Sequence, residues 1–436
     1  MSIRHFFLAT AWVVTSSVGA QGGPAAALPA PPAAIAQSGE AQRVSLAEVL
    51  QAARLNLDVS MARRQLTAAQ GDALAADHAP APLLSAKASS IDLQNGVGGG
   101  NVLTQKRIDK AIGLDWTWER GNKRELRTRG AQQIVAAART DIDDITLQQQ
   151  LAASAAFYDL LSAQERILEV GEIASSATQL AATAARRVQA GDLSAQDAAR
   201  TDIEAQRART ELLGAQLDRQ RAALVLGQLT GLRGDLAAQR DWPTPAADTL
   251  GVAPTVGDVE GRADVRSAAQ RVLAAQAAVE LASAAKKADV TFGTSLNHYP
   301  GTSTRLLELR LQVPLYGVLG GYNFQGEVLR AQAQLNLAED MLERTRRNAQ
   351  TEQLRLQQDQ QGAAARSLSY QGTIVPRARQ VADMAEIAYR KGAMSLTELI
   401  DARRTLRTIL IEDLAARTDY AKAVQARALR QAARLP

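Results

Sequence analysis

The chain has 436 residues, no cysteine, and aromatic side chains at only 4% of its positions. The absence of cysteine excludes disulfides, thiolate zinc sites, cysteine nucleophiles and a lipid-modified N-terminal cysteine. The formal net charge is +5, and charges of both signs alternate along the chain, so no compact basic patch suited to nucleic acid emerges. The many Ala, Gln, Leu and Arg residues favour long helices.

The N-terminus has the pattern of an export signal. Arg4 and His5 precede an apolar run over residues 6–18, and small residues continue to Ala20. We predict a secretory signal peptide over residues 1–20, because the run is too short to span ~30 Å of hydrocarbon as a membrane anchor. Residues 21–43 are rich in Ala, Pro and Gly and are predicted to be a flexible segment.

Long helices are expected because no proline occurs between Pro82 and Pro243. An apolar stripe through Ile134, Tyr158 and Leu161 predicts a helix over residues 122–190, which at ~1.5 Å per residue is about 100 Å long. A helix of that length indicates a coiled coil or a helical tube. Pro376 lies inside the corresponding helix of the second half and predicts a kink or local unwinding.

The chain is a tandem duplication with an offset of about 200 residues. In each half a long helix is predicted to end at a glycine, Gly191 or Gly392, and the next helix to begin at a serine, Ser194 or Ser395. An acidic residue three positions after each serine predicts a capping box. We divide the chain into a first repeat at 44–240, a linker at 241–261 and a second repeat at 262–436.

Each repeat also has a candidate β-hairpin. The predicted strands are 83–93 with 109–118 in the first repeat and 289–298 with 304–316 in the second. Leu307, Leu309 and Leu311 alternate with charged or polar residues, which is the period of a strand. Strands of about ten residues can cross a bilayer when tilted. Four strands cannot close a barrel in lipid, so membrane insertion requires an oligomer, and a trimer supplies 12 strands.

Aromatic side chains cluster in and beside these strands. Membrane barrels carry Trp and Tyr at both interfaces with water, although strands also favour aromatic residues for ordinary packing reasons. The pattern predicts that four of them lie at a membrane interface: Trp116, Trp118, Tyr299 and Tyr316.

These features together resemble the TolC-type outer-membrane efflux proteins. Residues 44–50 and 55–57 look like the opening helix of that family, residues 313–321 like its strand-to-helix junction, and residues 389–402 like its periplasmic tip. Residues 119–124 are similar to the Glu-x-Gly-Gly-Lys-Arg run of the heavy-metal branch, except that Asn122 replaces the second glycine. The resemblance extends from about residue 44 to the C-terminus.

The resemblance implies a mainly α-helical protein with a small β part. In it, a trimeric α-helical barrel joins a 12-stranded β-barrel to which each protomer gives four strands. The implied role is that of a passive conduit in the outer membrane, extending into the periplasm, with no enzymatic activity and no cofactor. The implied partners are a periplasmic adaptor, an inner-membrane proton-driven pump and outer-membrane lipid, and the expected substrate is a divalent metal cation.

Other functions stay open at this point. Within the same family the substrate could be a drug, a solvent or, in type I secretion, a polypeptide. In another class, the chain could be an exported coiled-coil structural protein without a barrel, or a periplasmic adaptor. The four alternating strands argue against the structural protein, and the two tips argue against the adaptor.

The resemblance also implies roles for residues at the two tips. Glu398 and Asp401 would line the periplasmic entrance of the pore, with Asp197 and Arg200 at the corresponding positions of the first repeat. The alternative role of these residues is to cap a helix. Candidates for contact with the adaptor are Gly191, Leu193, Ser194, Gly392, Met394 and Ser395. No catalytic motif is present, and the sequence places no second His or Cys at metal-ligand spacing from His78 or His298.

Overall fold

The computed structural model describes residues 42–101, 107–245, 257–300, 303–316 and 322–433, together with Gly251 and Ala253. The predicted signal peptide lies outside these residues. Residues 21–41 of the predicted flexible segment also lie outside them. Its last two residues, Gln42 and Arg43, correct the prediction, because they belong to a strand that pairs with Leu236 and Ala237.

The described chain is mainly helical with a small β part, as predicted. In chain order the elements are β1 Gln42–Val44, α1 Leu46–Ala53, α2 Leu57–Ala76, β2 Leu83–Ser89, β3 Asp109–Trp118, α3 Lys123–Gln189, α4 Ala195–Thr230, β4 Leu236–Ala238, α5 Ala263–Ala284, β5 Val290–Tyr299, β6 Ser303–Gln312, α6 Gln325–Ser369, a π-helical turn Tyr370–Ile374, α7 Val375–Arg390 and α8 Leu396–Ala432.

A hydrophobic core surrounds the middle of α3. Phe157 and Leu160 are completely buried there, in contact with side chains from α1, α4 and α8. The parallel pair β1–β4, which the sequence did not predict, closes one side of this core with Val44 and Leu236. Burial of these apolar side chains is the main stabilising contribution at this level of the helical part.

Helix α3 confirms the predicted long helix but only part of the predicted stripe. It has 67 residues, and Tyr158 and Leu161 are buried as expected. Ile134 is 45% exposed, whereas its neighbour Val135 is buried. The stripe shifts because α3 packs against four helices, α2, α4, α5 and α8. A helix with several partners does not keep one buried face, unlike a helix in a two-stranded coiled coil.

The long helix of the second repeat, α6 with α7, is interrupted near Pro376, as the sequence predicted. The π-helical turn Tyr370–Ile374 ends one residue before Val375, and Pro376 lies in the first turn of α7. A proline inside an α-helix removes one backbone donor and its ring clashes with the preceding turn. Widening that turn to the π form relieves the clash, so the chain continues without a break.

Four strands form one antiparallel sheet in the order β2–β3–β5–β6. The two predicted hairpins are present, and they meet through β3 and β5, with Trp116 opposite Phe292. Two predicted strand ends were too long. Strand β2 ends at Ser89 because Ser90 has a φ of 60°, and β6 ends at Gln312, two residues before Pro314, which lacks a ladder donor.

Both repeats pass from the sheet into a long helix through a residue in the left-handed region. Asn122 precedes α3 with φ 56° and ψ 28°, and Phe324 precedes α6 with φ 61° and ψ 23°. Neither side chain makes a capping hydrogen bond. Asparagine tolerates this conformation better than other non-glycine residues, which explains why it can stand where the heavy-metal branch has glycine.

Replacing Asn122 with valine should therefore lower the free energy of unfolding by about 1–2 kcal/mol, because a β-branched side chain is strained at positive φ. Asn122→Gly is the matched control and should leave stability unchanged or slightly raised. Thermal unfolding followed by circular dichroism, at one fixed protein concentration, measures both. Equal midpoints for the two variants would show that this backbone conformation does not limit stability.

Candidate functional site

The two helical tips have the turn geometry that the sequence predicted. Gly191 and Gly392 have φ values of 81° and 73°, and each follows the end of a long helix. Their successors close the turn: Asp192 N donates to Arg187 O at 2.9 Å, and Ala393 N donates to Ala388 O at 2.9 Å. Positive φ at these positions is the reason for glycine.

Only the second tip has a complete capping box. Ser395 Oγ accepts from Glu398 N at 3.3 Å, and Glu398 Oε2 accepts in return from Ser395 N at 2.8 Å. At the first tip, Ser194 Oγ accepts from Asp197 N at 3.1 Å, but the reciprocal backbone bond is not formed. At both tips the serine hydroxyl donates to the carboxylate at 2.8 Å, but the aspartate side chain is one methylene shorter than glutamate and does not reach the serine backbone N–H. The prediction of a capping box at Ser194 was therefore half right.

Each carboxylate of the second tip has a local partner within the chain. The hydrogen bond from the Ser395 backbone N–H, followed by that from its hydroxyl, lowers the pKa of Glu398 below its ordinary value. Asp401 is exposed and lies 3.6 Å from Arg404 Nη1. At the first tip, Arg200 Nη1 lies 4.0 Å from Asp197. Within one chain, the contacts of the Glu398 carboxylate are those of a helix cap. A pore-lining role for the tip residues stays a prediction.

The helical hairpins α3–α4 and α7–α8 are joined near their tips by side chains. Polar contacts of this kind were not predicted from the sequence. They are a hydrogen bond of 3.2 Å from Arg187 to Tyr389, one of 3.3 Å from Arg200 to Thr397, one of 3.3 Å from Arg404 Nε to Glu204, and an ion pair of 3.0 Å between Arg407 and Glu211.

A cleft of about 450 Å³ separates the two hairpins just above these contacts. It is lined by apolar side chains, including Ile400 and Leu410, and by charged ones, including Glu172 and Arg403. The hydrogen bond from Arg404 lowers the pKa of Glu204, which also lines the cleft. The hairpins are thus joined beside the cleft by partly exposed polar contacts.

The antiparallel sheet has two chemically distinct faces. One, here called the apolar face, is exposed, and Leu309 is 78% accessible. The other, the polar face, carries alternating polar and charged side chains with Asp115 paired to Arg310. Members of the apolar face include Leu84, Ile112, Leu114, Trp116, Trp118, Phe292, Leu296, Leu307, Leu309 and Leu311. An exposed apolar surface of this extent indicates contact with lipid or with another protein.

The predicted interface aromatics lie at the ends of this sheet. Trp116 stacks on Phe292 with ring centres 6.1 Å apart, and Trp118 ends β3 beside the helical part. Tyr316 follows β6 and contacts Phe324 edge-on at 5.0 Å. Tyr299 ends β5 at the opposite end of the sheet. Their positions at a membrane interface stay a prediction.

Residues 119–124 have a structural role at the junction between sheet and helix. The carboxylate of Glu119 accepts two hydrogen bonds from Arg127, at 2.6 and 3.0 Å. Lys123 Nζ lies 2.8 Å from Asp289, which precedes β5 of the second repeat. Within the part of the chain that the structure describes, no group of three His, Cys, Asp or Glu side chains could hold a metal ion. The run therefore ties the two hairpins to α3.

No helix among the described residues is both long enough and apolar enough to cross a bilayer.

Comparison with known proteins gives one curated relative and several solved structures. No protein-family model matches the sequence. The chain is 24% identical over 298 residues to the cobalt-zinc-cadmium resistance protein CzcC of Cupriavidus metallidurans, a match covering 66% of this chain and 68% of that protein.

The solved structures share the fold at low sequence identity. A membrane protein from Pseudomonas aeruginosa has a TM-score of 0.71 and 17% identity, over 88% of this chain and 89% of that one. CusC, whose structures concern folding and transmembrane channel formation, has a TM-score of 0.65 and 17% identity, over 88% and 91%. The outer-membrane protein VceC of Vibrio cholerae has a TM-score of 0.65 and 17% identity, over 88% and 94%.

The capping box at the second tip should make local stability depend on pH. The folded pKa of Glu398 lies below the ordinary 4.5, so its stabilising contribution is complete above that value and is lost as the pH falls through the lower, folded pKa. We expect Glu398→Gln to lower the thermal midpoint near neutral pH, and the difference from the unsubstituted protein to disappear in acid.

Glu48 is the matched position, because it forms the same capping box with Ser45 and its pKa is lowered by the same bonds. Glu48→Gln should give the same pH pattern. If the effect of Glu398→Gln persists unchanged in acid while that of Glu48→Gln disappears, the Glu398 charge acts through something other than the cap.

Proposed function

We propose that the chain is a TolC-type outer-membrane efflux protein, the outer-membrane channel of a tripartite system exporting divalent metal cations. Its fold, shared with the outer-membrane protein VceC and with CusC, supports this proposal. In this role three copies form a passive conduit across the outer membrane and the periplasm. An inner-membrane proton-driven pump and a periplasmic adaptor deliver the substrate. The channel itself catalyses no reaction.

The observation that carries the proposal is the four-stranded sheet. Its apolar face is exposed, its polar face is charged, and among the described strands β2 and β6 each lack a neighbour on one side. Open edges are not tolerated in lipid, so the sheet needs further strands before it can sit in a membrane. Three copies would supply 12 antiparallel strands, with the apolar face toward lipid and the polar face toward a water-filled lumen.

The helical part supports a conduit through the periplasm. At ~1.5 Å per residue, the 67 residues of α3 extend about 100 Å from the sheet to the first tip. Each tip is an exposed turn in which a glycine of positive φ ends one helix and a serine caps the start of the next. Such a well-defined turn suits docking of an adaptor. The proposed docking residues are Gly191, Leu193, Ser194, Gly392, Met394 and Ser395.

The metal substrate rests on two observations. The relative with 24% identity is a cobalt-zinc-cadmium resistance protein. Residues 119–124 are similar to a run in the heavy-metal branch, and Asn122 takes the backbone conformation that the missing glycine would take. Because residues 119–124 make contacts at the junction of sheet and helix, they support a relationship to the heavy-metal branch, but they are not proposed to bind the metal. Drugs, solvents or a polypeptide are the competing substrates.

Susceptibility of a deletion strain tests the substrate. Loss of the gene should lower the tolerated concentrations of cobalt, zinc and cadmium salts and leave those of drugs and detergents unchanged, and a plasmid copy should restore them. A strain sensitive only to drugs would replace the metal substrate by a drug. Purification of a soluble monomer from the periplasm, instead of a threefold-symmetric outer-membrane particle, would overturn the channel itself.

The tip carboxylates give a sharper prediction about the pore. Three copies would place six carboxylates of Glu398 and Asp401 around one entrance, which favours cations. Glu398→Gln with Asp401→Asn removes the charges, and glutamine can still complete a capping box. We expect lower cation preference in planar bilayers. Glu48→Gln, in α1, is the control. Equal selectivity of the unsubstituted channel, the double variant and Glu48→Gln would show that the tip carboxylates only cap the helix.

A further inference from the structure

An ion pair spans the polar face of the sheet from β3 to β6. Arg310 Nη2 donates a hydrogen bond to Asp115 Oδ1 at 2.5 Å. The two residues are not on neighbouring strands, because β5 lies between them. In the ladder Asp115 stands opposite Gly293, and Gly293 stands opposite Arg310. The pair therefore crosses directly over the backbone of Gly293.

The glycine at this position provides space. A Cβ atom on residue 293 would collide with Asp115 Oδ1 and would lie 3.1 Å from Arg310 Nε. Gly293 is not among the residues with positive φ, so its backbone conformation does not require glycine. Any side chain here would push the carboxylate and the guanidinium apart.

Asp115 and Arg310 are the charged residues among the four that stand side by side across the sheet at this position. The fourth residue at the same level is Leu83 on β2, which has no charge. Two residues further along β6, Glu308 accepts a hydrogen bond of 3.0 Å from Asn297 and contacts no arginine in the described chain. Arg310 is thus the cation of this level, and Asp115 both neutralises it and fixes its direction along the wall.

We propose that Asp115 and Arg310 determine the width and ion selectivity of the channel at the level of the sheet. The inference rests on the proposed function, because it needs a channel whose lumen is lined by the polar face. With the pair intact, each guanidinium lies flat over Gly293 and each copy is neutral at this level. Without Asp115, the long arginine side chains of the copies are free to project into the lumen, which narrows it and favours anions.

Single-channel recording of the full-length protein in planar bilayers tests this, with conductance and the reversal potential across a KCl gradient as readouts. Asp115→Asn should lower conductance and shift the reversal potential toward anions. Arg310→Gln should shift it toward cations without loss of conductance. The exchange Asp115→Arg with Arg310→Asp rebuilds the pair over Gly293 and should restore both values.

Two further variants separate geometry from charge. Gly293→Ala changes no charge but breaks the bridge, so it should lower conductance while shifting the reversal potential little. Glu308→Gln removes one negative charge from the same face without releasing an arginine, so it should shift selectivity and keep conductance. Equal conductance in Asp115→Asn, Gly293→Ala and the unsubstituted channel would overturn the inference. Failure of the unsubstituted protein to form any channel would instead overturn the proposed function.

Discussion

The four-stranded sheet imposes the constraint on which the rest of the molecule depends. In β6, Leu307, Leu309 and Leu311 lie on the exposed apolar face, whereas Glu308 and Arg310 between them lie on the opposite, polar face. Burying that apolar face in water-free surroundings is favourable only if the ladder hydrogen bonds at both edges are also satisfied. One chain cannot do both, and a ring of copies can. In the proposed trimer the polar face would become the wall of a water-filled lumen.

The helical part is held together differently in its middle and at its tips. Around Phe157 the helices share an apolar core, whereas near the tips the hairpins α3–α4 and α7–α8 are joined by polar bridges such as Arg200 to Thr397. Exposed polar bridges contribute little free energy each and can be exchanged at low cost. The molecule therefore combines a firmly packed middle with tips whose relative position is weakly fixed. That combination suits a tube that is rigid along its length and adjustable at its end.

Periodic and local features were predictable from the sequence, whereas contacts between the repeats were not. The alternation through Leu307 and the spacing from Gly392 to Ser395 depend on residues close in sequence, so the strand and the tip could be predicted. The bridge from Asp115 to Arg310 joins residues 195 positions apart through the register of β3 on β5. No local pattern fixes that register. The short pair β1–β4 was missed because three residues are too few to show a period.

At equivalent positions the two repeats have the same backbone conformation but different side chains. The comparison shows which features the fold requires and which can vary. Both need a left-handed residue before the long helix, and Asn122 and Phe324 supply it with unrelated side chains. Both need a serine cap at the tip, but only Ser395 has glutamate to complete the box. The first long helix is continuous, while the second passes through a π-helical turn at Pro376. What the two halves share is therefore backbone geometry, and what distinguishes them is the π-helical turn before α7 and the complete capping box at the start of α8.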